Sequence, residues 1–171
     1  MRIITRSLPA FCIALFATCF LLFSASCSRD KCSSVTCANG GVCNNGNCTC
    51  AVGYQGASCQ TISRAAWLGN WAFFEKGSAV ESQQYPMSIQ AGNPNINNIT
   101  FTNFLNYFSV PVSGYVVNNN LFIPSQQVQG SSVQGAGYIT QTAAGNTIPI
   151  SCTVTNLTTN VSTTYNTYTV Q

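Results

Sequence analysis

The chain has 171 residues, only 5% of them charged, with ten cysteines and no histidine. From Cys27 onward Arg29, Lys31, Arg64 and Lys76 face Asp30, Glu75 and Glu81, a net charge of +1 that offers no basic footprint for nucleic acid. Without histidine a Ser-His-Asp, Cys-His or histidine-metal site is excluded, and no phosphate loop or dinucleotide fingerprint is present, so neither an enzyme nor a cofactor is expected.

Residues 1–26 have the three parts of a secretory leader: Arg2 and Arg6, an apolar run from Leu8 to Phe23, and the small residues Ser24, Ala25 and Ser26. As a membrane-spanning helix the run is marginal, because Pro9 and Thr18 interrupt it. Ser24-Ala25-Ser26-Cys27 resembles the lipobox of bacterial lipoproteins, in which that cysteine becomes the acylated first residue. The resemblance implies a mature chain tethered to the membrane through Cys27, with residues 27–31 as the tether. Ser28 after the acylated position is similar to the Gram-negative pattern for outer-membrane destination, so the expected location is the cell envelope, facing outward or into the periplasm. The small residues also satisfy ordinary signal cleavage, which would give a secreted protein. Cys27 and Cys152 are the two cysteines left over after the next module, so either Cys27 is lipidated and Cys152 is a buried thiol, or the two form a disulfide. The end of the sequence, Tyr168-Thr169-Val170-Gln171, has no apolar tail, so no GPI anchor is expected.

Closely spaced cysteines with abundant Gly and Asn read as a disulfide scaffold from an oxidising compartment. The spacing is Cys32-x4-Cys37-x5-Cys43-x4-Cys48-x-Cys50-x8-Cys59, with Asn39-Gly40-Gly41 before the third cysteine and Gly53-Tyr54-Gln55-Gly56 before the last. Six cysteines allow fifteen pairings, and Cys48-x-Cys50 is too tight for a zinc knuckle. The pattern over residues 32–60 strongly resembles the EGF-like family, which implies the pairs Cys32–Cys43, Cys37–Cys48 and Cys50–Cys59. So short a segment cannot bury enough surface to fold without its bridges, each of which contributes about 2–4 kcal/mol. Many EGF-like modules bind calcium through acidic residues before the first cysteine. Here Ser28-Arg29-Asp30-Lys31 offers one carboxylate between two cations, a poor set of ligands for a hard ion, so no metal is expected.

From Ala65 to Gln171 period-two alternation takes over, broken by Asn, Gly and Ser clusters. The predicted strands are 71–76, 85–91, 99–103, 110–117, 120–124, 132–142, 147–155 and 163–170. Eight strands joined by short hairpins predict an antiparallel meander closed into a barrel or flattened barrel, which also hides strand edges. The clearest turn signals are Val117-Asn118-Asn119-Asn120 and Ala144-Gly145-Asn146. Gly69-Asn70-Trp71 resembles the opening of the first strand in lipocalin-like barrels, where the tryptophan packs against the closed end, so Trp71 is expected to serve the core. Ile99, Phe101, Phe104, Leu105, Tyr107 and Phe108 are expected to plug such a barrel or to line it.

Few residues carry chemistry. Glu75 and Glu81 flank the first predicted turn and are expected to be solvated, not an acid and base pair. Cys152 lacks a basic neighbour and reads as a small buried residue. The Asn98, Asn156 and Asn160 sequons would be glycosylated in a eukaryotic source. The expected function is therefore binding or adhesion, with the EGF-like module as spacer and the β-domain contacting an unknown protein or glycan. The alternative is a lipocalin-like carrier of a small apolar ligand.

Overall fold

The computed structural model describes residues 30–77 and 83–169. The leader, Cys27 and Glu81 lie outside the described residues. Strands form β1 (Val42–Asn44), β2 (Asn47–Thr49), β3 (Tyr54–Gln55), β4 (Thr61–Ile62), β5 (Gly69–Gly77), β6 (Gln83–Ala91), β7 (Asn98–Thr102), β8 (Val112–Val117), β9 (Asn120–Val128), β10 (Ser131–Tyr138), β11 (Thr140–Thr142), β12 (Gly145–Thr147), β13 (Ile150–Asn156) and β14 (Ser162–Thr169). No helix forms among the described residues.

The cysteine-rich segment is a pair of two-stranded ribbons, β1–β2 and β3–β4, stapled by Cys32–Cys43, Cys37–Cys48 and Cys50–Cys59. This is the pairing that the EGF resemblance implies. Asp30 Oδ1 accepts a hydrogen bond from Cys32 N at 2.9 Å, so the carboxylate before the first cysteine caps the backbone there.

The other eight long strands close into an antiparallel barrel in the order β10-β13-β14-β5-β6-β7-β8-β9. Apart from the short β11–β12 excursion this is the meander the alternation predicts. Alternate residues of each strand turn inward and fill the interior: Phe73, Met87, Ile89, Ile99, Phe101 and Leu121 are each less than 2% exposed. The aromatic stretch acts as a plug. Phe104 packs on Phe101 with ring centroids 5.3 Å apart, and Phe104, Leu105 and Phe108 are buried, whereas Tyr107 stays outside.

Several predicted boundaries need correction, each for a local reason. The predicted strand 132–142 stops at Tyr138, because Ile139 turns into the core and its N–H goes to Asn119 O across the sheet. Thr140–Thr142 then pairs with Gly145–Thr147 in a separate hairpin, so the predicted strand 147–155 begins only after Pro149, at Ile150. Pro111, which has no N–H to offer, holds back the start of β8 from 110 to Val112. Conversely, β9 continues past Pro124 to Val128. A bulge opposite Val133–Gly135 absorbs the proline, and the Gln126 side chain completes the ladder by accepting from Ser113 N at 2.9 Å and donating to Ser113 O at 2.7 Å.

The disulfide module docks on the barrel mouth formed by the start of β5 and the β6–β7 and β8–β9 turns. Trp67 enters the core fully buried, and Trp71 Nε1 donates to Trp67 O at 2.8 Å. The fully buried tryptophan is therefore Trp67, with Trp71 half-buried against it. Arg64 Nη1 donates to the carbonyls of Gly92, Asn95 and Asn98 at 3.0, 3.3 and 2.8 Å, tying the linker to the β6–β7 loop. Gly53 sits against that loop with φ +90, where a Cβ would overlap Ile96 Cγ2. Gly40 shares a positive φ of +74 but has open space around it. Gly53→Ala should therefore lower the unfolding free energy of the oxidised chain by about 1–3 kcal/mol more than Gly40→Ala does, since only the first adds a clash to the backbone strain. Urea denaturation of both variants checks this.

Candidate functional site

The opposite mouth is framed by the β7–β8, β9–β10 and β13–β14 connections and carries the most unusual interior residue. On β5 the alternation that turns Phe73 inward also turns Glu75 inward, and Glu75 is 7% exposed. It stands opposite Thr167 on β14. Tyr165 lies two residues along that strand and pairs with Cys152 on β13, while Tyr85 on β6 faces Phe73. Glu75, Tyr85, Cys152 and Tyr165 thus come from four consecutive strands. The expectation that Glu75 is solvated is overturned, because strand parity, not nearness to a turn, sets which way it points.

The segment between β7 and β8 closes over this cluster. Asn103, Leu105 and Asn106 have φ of 58, 56 and 52, a tight fold that lets Phe104 and Phe108 enter the barrel from the same side. Asn103 Nδ2 donates to Pro86 O at 2.6 Å and fixes the segment to β6. Tyr107 is left 62% exposed, its ring edge-on to Phe108 at 4.9 Å.

Between this segment and the strands lies a pocket of about 190 Å³ lined by Glu75, Leu105, Asn106, Tyr107, Phe108, Val154 and Tyr165. Sharing Tyr107, Val154 and Tyr165 with it, a more open groove of about 380 Å³ runs on past Ser131, Asn156, Thr159, Val161 and Thr163. The sequon residue Asn156 lines this groove. Asn156 Oδ1 accepts from the N–H groups of Thr158 and Thr159, and Asn160 adopts a left-handed φ of 54.

Burial governs the electrostatics. It raises the Glu75 carboxyl above its usual range, and no hydrogen bond or ion pair to that carboxylate is seen among the described residues. Burial, reinforced by the Glu75 charge, pushes the Cys152 thiol up to about 12, so at neutral pH it is an inert thiol. The Tyr85 hydroxyl, which has no hydrogen-bond partner among the described residues, is driven up by burial, then by the Glu75 charge and Cys152. Burial and then the Glu75 charge also raise Tyr165, partly opposed by a hydrogen bond with Thr163. The arrangement is one desolvated acid in an aromatic-walled pocket.

Of the residues singled out in the sequence, the six module cysteines pair together at the other end of the molecule. Cys152 is a free buried thiol on β13, and Cys27 lies outside the described residues. A second cavity of about 430 Å³ lies between the module and the β8–β9 turn, where the buried Ser63 hydroxyl has no partner among the described residues.

No protein-family profile matches the chain, and no curated protein matches it. A solved crystal structure from Bacteroides ovatus, described as a structural genomics protein of unknown function, is similar at 13% identity and a TM-score of 0.39, covering 61% of this chain. The matched region is 42% of the length of that protein.

A carboxyl whose folded-state pKa is raised makes the fold most stable below the ordinary carboxylate range. That stability is lost as pH rises through the folded value. Glu75→Gln should therefore melt above the unaltered protein at pH 7, with the gap closing below pH of about 4. Thermal melts at the two pH values measure it, and equal gaps at both would mean the carboxylate is not desolvated.

Proposed function

We propose that the chain is a membrane-anchored extracytoplasmic binding or adhesion protein. An EGF-like module, tethered through acylated Cys27, acts as a calcium-independent spacer and presents the β-barrel to a partner. The observation that carries this reading is the polarity of the molecule. Gly53 of the three-disulfide module and the linker residues Arg64 and Trp67 sit at one barrel mouth, and the mouth with Glu75 faces away from it. A tether only five residues before Cys32 then leaves that far mouth outermost. The spacer role follows from rigidity, because three bridges stiffen the short module and Arg64 ties the linker behind it to the β6–β7 loop.

Filling of the interior favours this reading over the lipocalin-like carrier of a small apolar ligand. Such a carrier needs an empty apolar cavity along the barrel axis. Here Phe73, Phe101, Phe104 and Phe108, all buried, occupy that space. An outer-membrane location, facing outward, fits the disulfides and the Ser28 that follows the anchor residue.

Intact-mass analysis of the mature protein, with and without reduction, tests the anchor and module together. The expected species begins at Cys27, carries several acyl groups and shows three disulfides. An unmodified chain with four disulfides would sink the proposal, because Cys27 would then be paired with Cys152.

A further inference from the structure

We propose that the pocket around Glu75 is a binding site for a small organic ammonium ion, held by the carboxylate and the faces of Tyr107, Tyr165 and Phe108, with a polar body extending into the adjoining groove. The inference rests on reading the chain as a binding protein and names the ligand class that its outer mouth would take.

Glu75 supplies the first argument. It is one of three carboxylates in the whole chain, is more than nine-tenths buried, and lines the pocket without a hydrogen bond or counter-ion among the described residues. Burying a carboxyl this way is costly unless something compensates it, and every other inward position on β5 to β7 is uncharged. A cation placed in the pocket removes that cost.

The pocket wall supplies the second. Aromatic rings attract organic cations through their negative faces, most strongly where water is excluded. Tyr107, Tyr165 and Phe108 provide three rings around one acid, with Leu105 and Val154 between them. A divalent metal is a poor fit, since hard cations need several oxygen ligands, and no cluster of three metal-binding side chains occurs among the described residues. An apolar ligand would leave the carboxyl without compensation. A volume of about 190 Å³ suits a substituted ammonium head. The hydroxyls and amide of Ser131, Thr159, Thr163 and Asn156 along the groove suit hydroxyl-bearing substituents.

Charge linkage follows from the same geometry. The groups facing Glu75 from neighbouring strands are the phenols of Tyr85 and Tyr165 and the thiol of Cys152, all raised by burial and by the Glu75 charge, and the Tyr107 ring shares the pocket wall with Tyr165. Glu75 is thus the group whose protonation competes with the ligand, and binding an ammonium ion displaces that proton.

Calorimetric titration of the oxidised chain, with Cys27 changed to serine to keep it soluble, decides the matter. The probes are choline, ethanolamine and 3,3-dimethylbutan-1-ol, the last having the shape of choline without its charge. At least one cation should bind saturably at pH 7, at least about tenfold more tightly than the neutral alcohol. Its affinity should fall as pH is lowered into the carboxylate range, with proton release seen as heat that depends on the buffer. Glu75→Gln should abolish that preference, and Tyr107→Ala, at an exposed position that spares the fold, should weaken binding several-fold. No saturable binding of either cation, equal binding of the neutral isostere, or unchanged affinity in Glu75→Gln would each overturn the proposal. The mass measurement on the anchor does not involve the pocket, so the two proposals fail separately.

Discussion

The pairing of β14 with β5, from Tyr165 opposite Gly77 to Thr169 opposite Phe73, joins the last barrel strand to the first and leaves the sheet without a free edge. In a chain with so few charges this closure matters twice. It satisfies backbone donors and acceptors that would otherwise template edge-to-edge association, the hazard that many exposed proteins blunt with lysine. It also creates a single interior into which every alternate residue must fit, so the character of each inward position follows from parity alone. The same ladder that buries Phe73 obliges Glu75 to be buried.

Closure leaves two mouths, and the chain treats them differently. At one, Trp67 fills the opening, the Arg64 guanidinium ties the linker to three carbonyls of the β6–β7 loop, and Gly53 of the disulfide module packs against Ile96 of the same loop. Hydrogen bonds from a charged donor are among the stronger neutral-acceptor contacts, and a planar guanidinium holds its partners in fixed directions. At the other mouth the strand ends are covered by a segment that spends three residues in left-handed backbone to bring Phe104 and Phe108 inside. Strained backbone and an acid with no partner among the described residues sit together there, and both would relax if stability were the sole demand on the sequence.

Much of the architecture was legible in the residues. Alternation gave eight strands and their meander, and the cysteine spacing, through its family resemblance, gave the three bridges. Boundaries were lost where side chains or prolines alter the ladder: Gln126 replaces a backbone partner across Pro124, and Ile139 leaves the strand to join the core. Trp67 precedes the first strand and has no periodic neighbours, so nothing in its sequence context marks it as more buried than Trp71. The site was obscured for a simpler reason. Glu75 lies near a predicted turn, where carboxylates are usually wet, yet its spacing of two from Phe73 was the signal that it shares the core face. The groove and the seat on the barrel depend on contacts between residues far apart in sequence, and no local pattern encodes them.

The docked module presents the far mouth rigidly, and backbone amide relaxation by NMR of the oxidised chain measures that rigidity. Residues 32–62 and the barrel should give the same rotational correlation time, as parts of one tumbling body. A distinctly shorter correlation time for the module would show it swinging independently of the barrel and would contradict the account.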